Sequence, residues 1–525
     1  MVHRVRCPVF GVILLAAALA ARGAELQPTL PFETDARPAL DNPIDERVLA
    51  LLRERGIEPA LECSDAVFFR RAHIDVIGTL PEPLEVVKFL RDPRPEKSAE
   101  LIDALMEREE FADYWTLKWC DLLRVKAEYP INLWPNAVQT YHRWIRDAVR
   151  QNRPCDEFVR QLLTASGSNF REPAVNFYRA IQGRTPAAVA DAVALTFMGV
   201  RLAGWPEERR SAMAAFFSRV AYKGTAEWKE EIVCLDPSPA GPLDAVFPDG
   251  KAVRIEPGED PRRVFADWLL APENPWFARN IVNRVWAWLM GRGIIHEPDD
   301  IRPDNPPANP KLLDYLEKEL VKSHYDLRHI YRLILNSATY QQSSIPRSLD
   351  PGAEALFARY PVRRLDAEVL IDALCWIGAD GESYSSAVPE PFTFIPQTQR
   401  TIALADGSIT SQFLEMFGRP ARDTGLESER NNQSTDAQRL YLLNSSHVEL
   451  KIERSRRIQR LLRTSRGNRR EIIRWLYLAV LSREPMETEV AAAQKYLETS
   501  RLNEQQGAVD LAWALVNTKE FLFRH

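Results

Sequence analysis

Apolar residues recur at helical spacing over most of this chain. In the segment IDERVLALLRERGI, Ile44, Val48 and Leu51/Leu52 fall on one face, the i, i+4, i+7 pattern of an amphipathic helix. The segment SDAVFFRRAHIDVIG opens on Ser64-Asp65 as a cap, ends at Gly78, and is followed by LPEP at the head of the next helix. KSAELIDALMERE, FADYWTLKWCDLLRVKAE, TYHRWIRDAVRQN and DEFVRQLLTAS continue the series. AAVADAVALTFMGV is apolar nearly all round and is expected at the centre of its unit.

The pattern changes after Gly224. Short β-prone runs surround Asp249-Gly250, a strong hairpin signal, so residues 225–258 are read as a small β element. Helical spacing resumes near Pro261 and continues through DYLEKELVKS, LRHIYRLILNSATY and LDAEVLIDALCWIG. Residues 377–436 are irregular, and loops of that length inside a compact unit are uncommon and often functional. From Asp436 helices return to the end. The expected fold is mainly α, with two helical lobes (44–224 and 259–525) joined by a small β-hairpin element.

Composition adds limits. The 525 residues, 45% hydrophobic and 27% charged, are ordinary for a globular protein but too many for one average core. A net charge of −5 with no basic stripe argues against nucleic acid and against an anionic membrane surface. Residues 1–24 read as a signal peptide, with His3, Arg4 and Arg6 before the apolar run Val9–Ala21. That run is too short to span a bilayer, so the mature chain is expected to be periplasmic or secreted, with 25–43 as an extended lead-in. Cys63, Cys120, Cys155, Cys234 and Cys375 are widely spaced and odd in number, which suits core packing with at most a single disulfide.

Several long segments occur together and in order: FFRRAHIDVIGTLPEPLEV, YWTLKWCDLLRVK, NPWFARNIVNRVWAWLMGRGI, the loop DDIRPDNPPANPKLLDYL, and FGRPARDTGLESERNNQSTDAQRLYLLNS. In these the chain resembles the planctomycete-type proteins that pair the domains of unknown function numbered 1549 and 1553. The resemblance implies export and, in many relatives, a cytochrome c-like segment. It supplies no catalytic residue. This chain departs from those relatives where they carry Cys-x-x-Cys-His, reading Leu202-Ala203-Gly204-Trp205-Pro206 instead. Covalent haem needs both thiols and the adjacent histidine, so haem attachment is excluded and no cofactor is expected.

Three groups of residues could carry chemistry. The loop His296–Asn305 holds Glu297, Asp299, Asp300 and Asp304, which could supply oxygen ligands for Ca²⁺. The alternative is structural: Asp299 or Asp300 pairs with Arg302 or Arg284, while Asn305 or Asn309 caps the helix from Pro310. His73, near Asp75 and Arg71, could act as an acid or base or be a satisfied helix residue. Arg419, Arg422, Asp423, Glu427, Glu429 and Arg430 form either an ion-pair network or, through Glu427 and Glu429, a glycosidase-type pair about 5–10 Å apart. Arg302, Asn305, Arg419, Arg430, Asn169 and Arg171 are the binding candidates. No nucleophile elbow, HExxH, P-loop or dinucleotide motif occurs. Two functions follow. One is a binding or assembly partner of a secreted cytochrome or another exported protein. The other is a carboxylate-dependent hydrolase, carbohydrate-active or of another kind. It is favoured if the 296–305 and 419–432 loops meet in one cleft with a suitably spaced pair of carboxylates, and disfavoured if each is satisfied by its own arginine.

Overall fold

A computed structural model describes residues 27–35, 41–238, 241–396, 398–499 and 503–525. The signal-peptide reading of 1–24 lies outside them. The chain is mainly α, as its spacing indicates. Helix α1 (Asp65–Ile77) is capped by Ser64, whose hydroxyl accepts from the Val67 amide, and stops at Gly78 with φ 60°. A glycine is needed there because a Cβ would meet the Tyr114 ring at 2.7 Å. Helix α2 (Glu109–Leu122) packs against α1. The apolar segment expected at the centre forms α3 (Pro186–Val193) and runs into a π-helical turn over Ala194–Met198, burying Val189, Ala190, Ala192, Val193, Ala194, Thr196, Phe197 and Met198.

The β element is larger than the expected single hairpin. Strands β1 (Gly167–Ser168), β2 (Val220–Gly224) and β3 (Glu231–Leu235) form one antiparallel sheet in the order β1-β3-β2. The β-prone run Val220-Ala221-Tyr222 pairs with β3, so the sheet begins inside the stretch read as helical. Strands β4 (Leu243–Val246) and β5 (Ala252–Ile255) make the hairpin around Asp249-Gly250.

Helices α4 (Phe277–Met290) and α5 (Pro310–Lys322) follow, packed together. Strand β6 (Arg363–Arg364) leads into α6 (Ala367–Gly378). The described residues of 379–435 carry short helical turns and one antiparallel bridge, Ser385 to Thr410, before α7 (Asp436–Asn444). The chain ends in β7 (Phe523–Arg524), which pairs with β6.

The two helical stretches share one continuous core. Cys63 donates its amide to Gln341 O and Ala60 donates to Ala358 O, so residues 60–63 are stitched to residues 341–358. The five described cysteines are unbridged, four of them buried and Cys234 half-buried. Among the described residues no helix is long and apolar enough to cross a membrane.

Candidate functional site

The polar positions that interrupt otherwise apolar helices meet in a buried ionic layer between the two halves. On α2, Tyr114, Lys118 and Asp121 lie on the side that meets β6, the start of α6 and the 419–432 loop. Asp366, 2% exposed, accepts from Lys118 Nζ at 2.9 Å, Tyr114 Oη at 3.0 Å and Arg524 Nη2 at 3.1 Å. Burial opposes its ionisation, but Lys118, Arg524 and Arg430 outweigh that and hold Asp366 well below the ordinary carboxylate range. Asp121 is lowered in the same way: burial opposes ionisation, and Arg430 at 2.6 Å and Arg422 at 2.8 Å prevail. Glu368, fully buried, receives Arg430 at 2.7 Å and Arg419 at 3.6 Å. Asp75 takes Arg524 Nε at 2.7 Å and the hydroxyls of Tyr360 at 2.8 Å and Tyr340 at 3.0 Å. Helix propensity did not set these contacts: Arg71 and Asp75, neighbours at i, i+4, each bond other partners.

The 296–305 and 419–432 loops do meet. Asp299, with no exposed side-chain surface, binds Arg284 Nη2 of α4 at 2.6 Å, and its other oxygen accepts the Glu427 amide at 2.7 Å. Glu427 Oε2 accepts from Trp288 Nε1 at 3.1 Å and lies 4.0 Å from Arg284 Nη1, which has no hydrogen-bond partner. The π-helical turn contributes as well, since Leu195 O accepts from Arg284 and Thr196 O from Asn280. Gly199 closes that turn with φ 66°, and a Cβ there would lie 2.9 Å from Pro298 O. Glu427 keeps 28% of its side-chain surface accessible. Burial raises its carboxyl above the usual range, against the pull of Arg284 and Lys118.

The other candidates have structural tasks. Asp300 and Asp304 turn outward to Arg302, at 3.1 and 3.4 Å, and Glu297 faces Arg201 at 3.6 Å. Asp299 and Glu297 thus point away from the Asp300–Arg302–Asp304 group, and among the described residues no group of three or more His, Cys, Asp or Glu is placed to hold a metal ion. Asn305 clasps the loop by donating to His296 O and Asp300 O, and Asn309 caps α5 by accepting from Leu312 N. Glu429 accepts the amides of Asp423 and Thr424, so it does not pair with Glu427 as a second free carboxylate. Arg419 reaches the Asp406 and Ile409 carbonyls. His73 is 1% exposed, bonds Phe69 O through Nδ1 at 2.9 Å, and burial lowers its pKa to about 4. Arg302 and Asn305 also line an outward cleft of about 380 Å³ walled by Trp205, Trp276 and Ile301.

A separate surface feature draws on three distant loops. Trp134, Trp228 and Phe392 pack with ring centroids 4.7–5.5 Å apart. Trp228 is 60% exposed and Phe392 47%. Lys229 Nζ lies 5.0 Å from the Trp134 ring, over its face. Two residues of this cluster hold backbone conformations that favour glycine, Trp134 at φ 73° and Lys229 at φ 62°. Asn169, a binding candidate, is fully buried and fixes this corner by donating to Lys229 O while its own Oδ1 accepts from Glu231 N. Arg171, next to it, is exposed. The loop carrying Trp134 is tied to the irregular segment through Glu128, which accepts the Ala387 amide at 3.0 Å, and through Ala127 N, which donates to Asp406 at 2.9 Å.

Two family models match, each described as a protein of unknown function: DUF1549 over residues 43–203 and DUF1553 over residues 261–497. The chain belongs to the proteins that pair these two domains. No curated protein and no solved structure matches it. In these terms the ionic layer is the seam between the DUF1549 and DUF1553 domains, with Tyr114, Lys118 and Asp121 from the first and Arg284, Asp299, Asp366, Glu368, Glu427 and Arg430 from the second.

Lys118, Asp121, Asp366, Glu368 and Arg524 were not singled out by motif. The signal was present: charges inside the apolar runs WTLKWCDLL and LDAEVLIDAL are buried polar positions, and those are the informative exceptions in a core. Trp134, Trp228 and Phe392 had no such signal, because nothing in their local sequence links the three loops.

Proposed function

We propose that this chain is an exported binding or assembly protein that docks another exported protein through the aromatic cluster of Trp134, Trp228 and Phe392. The observation behind it is that three loops, held partly in costly backbone conformations, present large aromatic side chains to solvent. Backbone strain of this kind costs about 1–3 kcal/mol per residue and clusters where ligands are held. Exposed tryptophans are the side chains most often dominant in protein interfaces. Export is supported by the basic and apolar start of the sequence and by the resemblance already described.

The test is affinity capture from the periplasm of a native host with the wild-type chain and a Trp228→Ala/Phe392→Ala variant. A discrete partner retained by the first and lost by the second, at unchanged melting temperature, is the expected outcome. Equal capture by both would remove the reading.

A second reading, hydrolysis, rests on Glu427 alone, a part-accessible carboxyl raised by burial beside Arg284 Nη1, which has no hydrogen-bond partner. It lacks a second free carboxylate, since Asp299 is fully engaged. Turnover of any glycoside that disappears in Glu427→Gln would favour it over docking.

A further inference from the structure

A hollow of about 370 Å³ opens in the C-terminal half between Phe417, the first turns of α7 and the chain around 517–523. Its walls include Phe417, Leu442, Leu443 and Leu522. Its charged lining is Arg364, Arg439 and Lys519, with no carboxylate among the lining residues.

The state of these cations points to a ligand. Arg364 is 3% exposed and forms no ion pair among the described residues, the Asp366 and Glu368 carboxylates acting on it only from beyond that distance. Its guanidinium is spent on the carbonyls of Leu365, Phe417 and Asn431, and its Nε has no partner. Burial lowers its pKa to about 10. A buried charge is normally matched by a counter-charge, as Asp121, Asp366 and Glu368 match Arg430 in the adjoining ionic layer. Lys519 forms no ion pair among the described residues, and Arg439 meets only Asp436, which is 91% exposed, at 3.2 Å. An apolar hollow with three cations and no acid is complementary to a ligand that is apolar along its body and anionic at one end.

We propose that this hollow binds a carboxylate-headed amphiphile of the medium-chain fatty acid type, its head between Arg364, Arg439 and Lys519 and its chain against Phe417, Leu442, Leu443 and Leu522. The site is independent of the aromatic cluster, so either can fail without the other.

The experiment is calorimetric titration of the full chain with decanoate, with methyl decanoate and decyltrimethylammonium as controls. Arg439→Glu and Lys519→Glu, both at the rim, are titrated in parallel after circular dichroism confirms their fold. Saturable one-to-one binding of decanoate alone is expected, weakened about tenfold or more by each reversal, the size of one lost charged hydrogen bond. No saturable binding, equal binding of the methyl ester, or indifference to both reversals would overturn the proposal. A fourth titrant, a pentapeptide ending in Leu-Phe with a free carboxylate, separates the sources. If that peptide binds and decanoate does not, the fatty-acid assignment is overturned in favour of a polypeptide chain end.

Discussion

Glu427 and His142 show how burial acts on an acid and on a base, with opposite consequences for stability. Burial raises the Glu427 carboxyl, so its contribution is complete at acid pH and fades as pH rises through the elevated value. Glu427→Gln keeps an acceptor for Trp288 and removes that loss. The expected result is a melting temperature equal to or above wild type at pH 8 and no gain at pH 4. His142 is 7% exposed, and burial, then Arg422, lowers its pKa to about 3. A depressed base is held neutral in the fold, so its contribution is intact above about pH 6.5 and lost as pH falls toward the folded value. His73, about 4, and His525, about 3, act in the same sense. The expected outcome is a steep loss of stability between pH 6.5 and 4, flattened measurably in His142→Phe; denaturant titrations at four pH values would check it.

Between elements, the contact that matters most is Arg284 of α4 with Asp299. Arg284 is 1% exposed, so Asp299→Ala strands a buried guanidinium and is expected to cost about 3–5 kcal/mol. Asp304, 74% exposed, sits in the same loop, and Asp304→Ala should fall within about 0.5 kcal/mol of wild type. Urea midpoints of the two variants make the comparison direct. Helices were legible in the sequence because apolar spacing and caps such as Ser64 and Asn309 act within a few residues. The β1-β3 pairing was not, since Gly167 meets Val233 across a long stretch of chain. The loop pairs Asp299–Arg284 and Asp300–Arg302 and the Asn309 cap were among the alternatives open to sequence reasoning, being short-range. The meeting of Asp299 with Glu427 could not be read, because no local pattern relates the two loops.

For the whole molecule, the two domains share an apolar core and, set within it, a buried ionic layer. Buried ion pairs contribute little net stability but penalise any arrangement that leaves one partner unmatched. The DUF1549 domain alone would expose Tyr114, Lys118, Asp121 and Asp75 without their partners. Residues 41–238 expressed by themselves are therefore expected to unfold without a cooperative transition and to bind a hydrophobic dye, whereas residues 41–525 should melt in one step.

Arg524 completes this seam by reaching Tyr114, 410 positions earlier in the chain, and Asp75 and Asp366 beside it. The charged inner face of α1 and α2 is fully matched only when Asp366, Arg422, Arg430 and Arg524 are all in place. The two domains are therefore buttoned together by one residue whose guanidinium touches both, so neither can settle its own charges without the other.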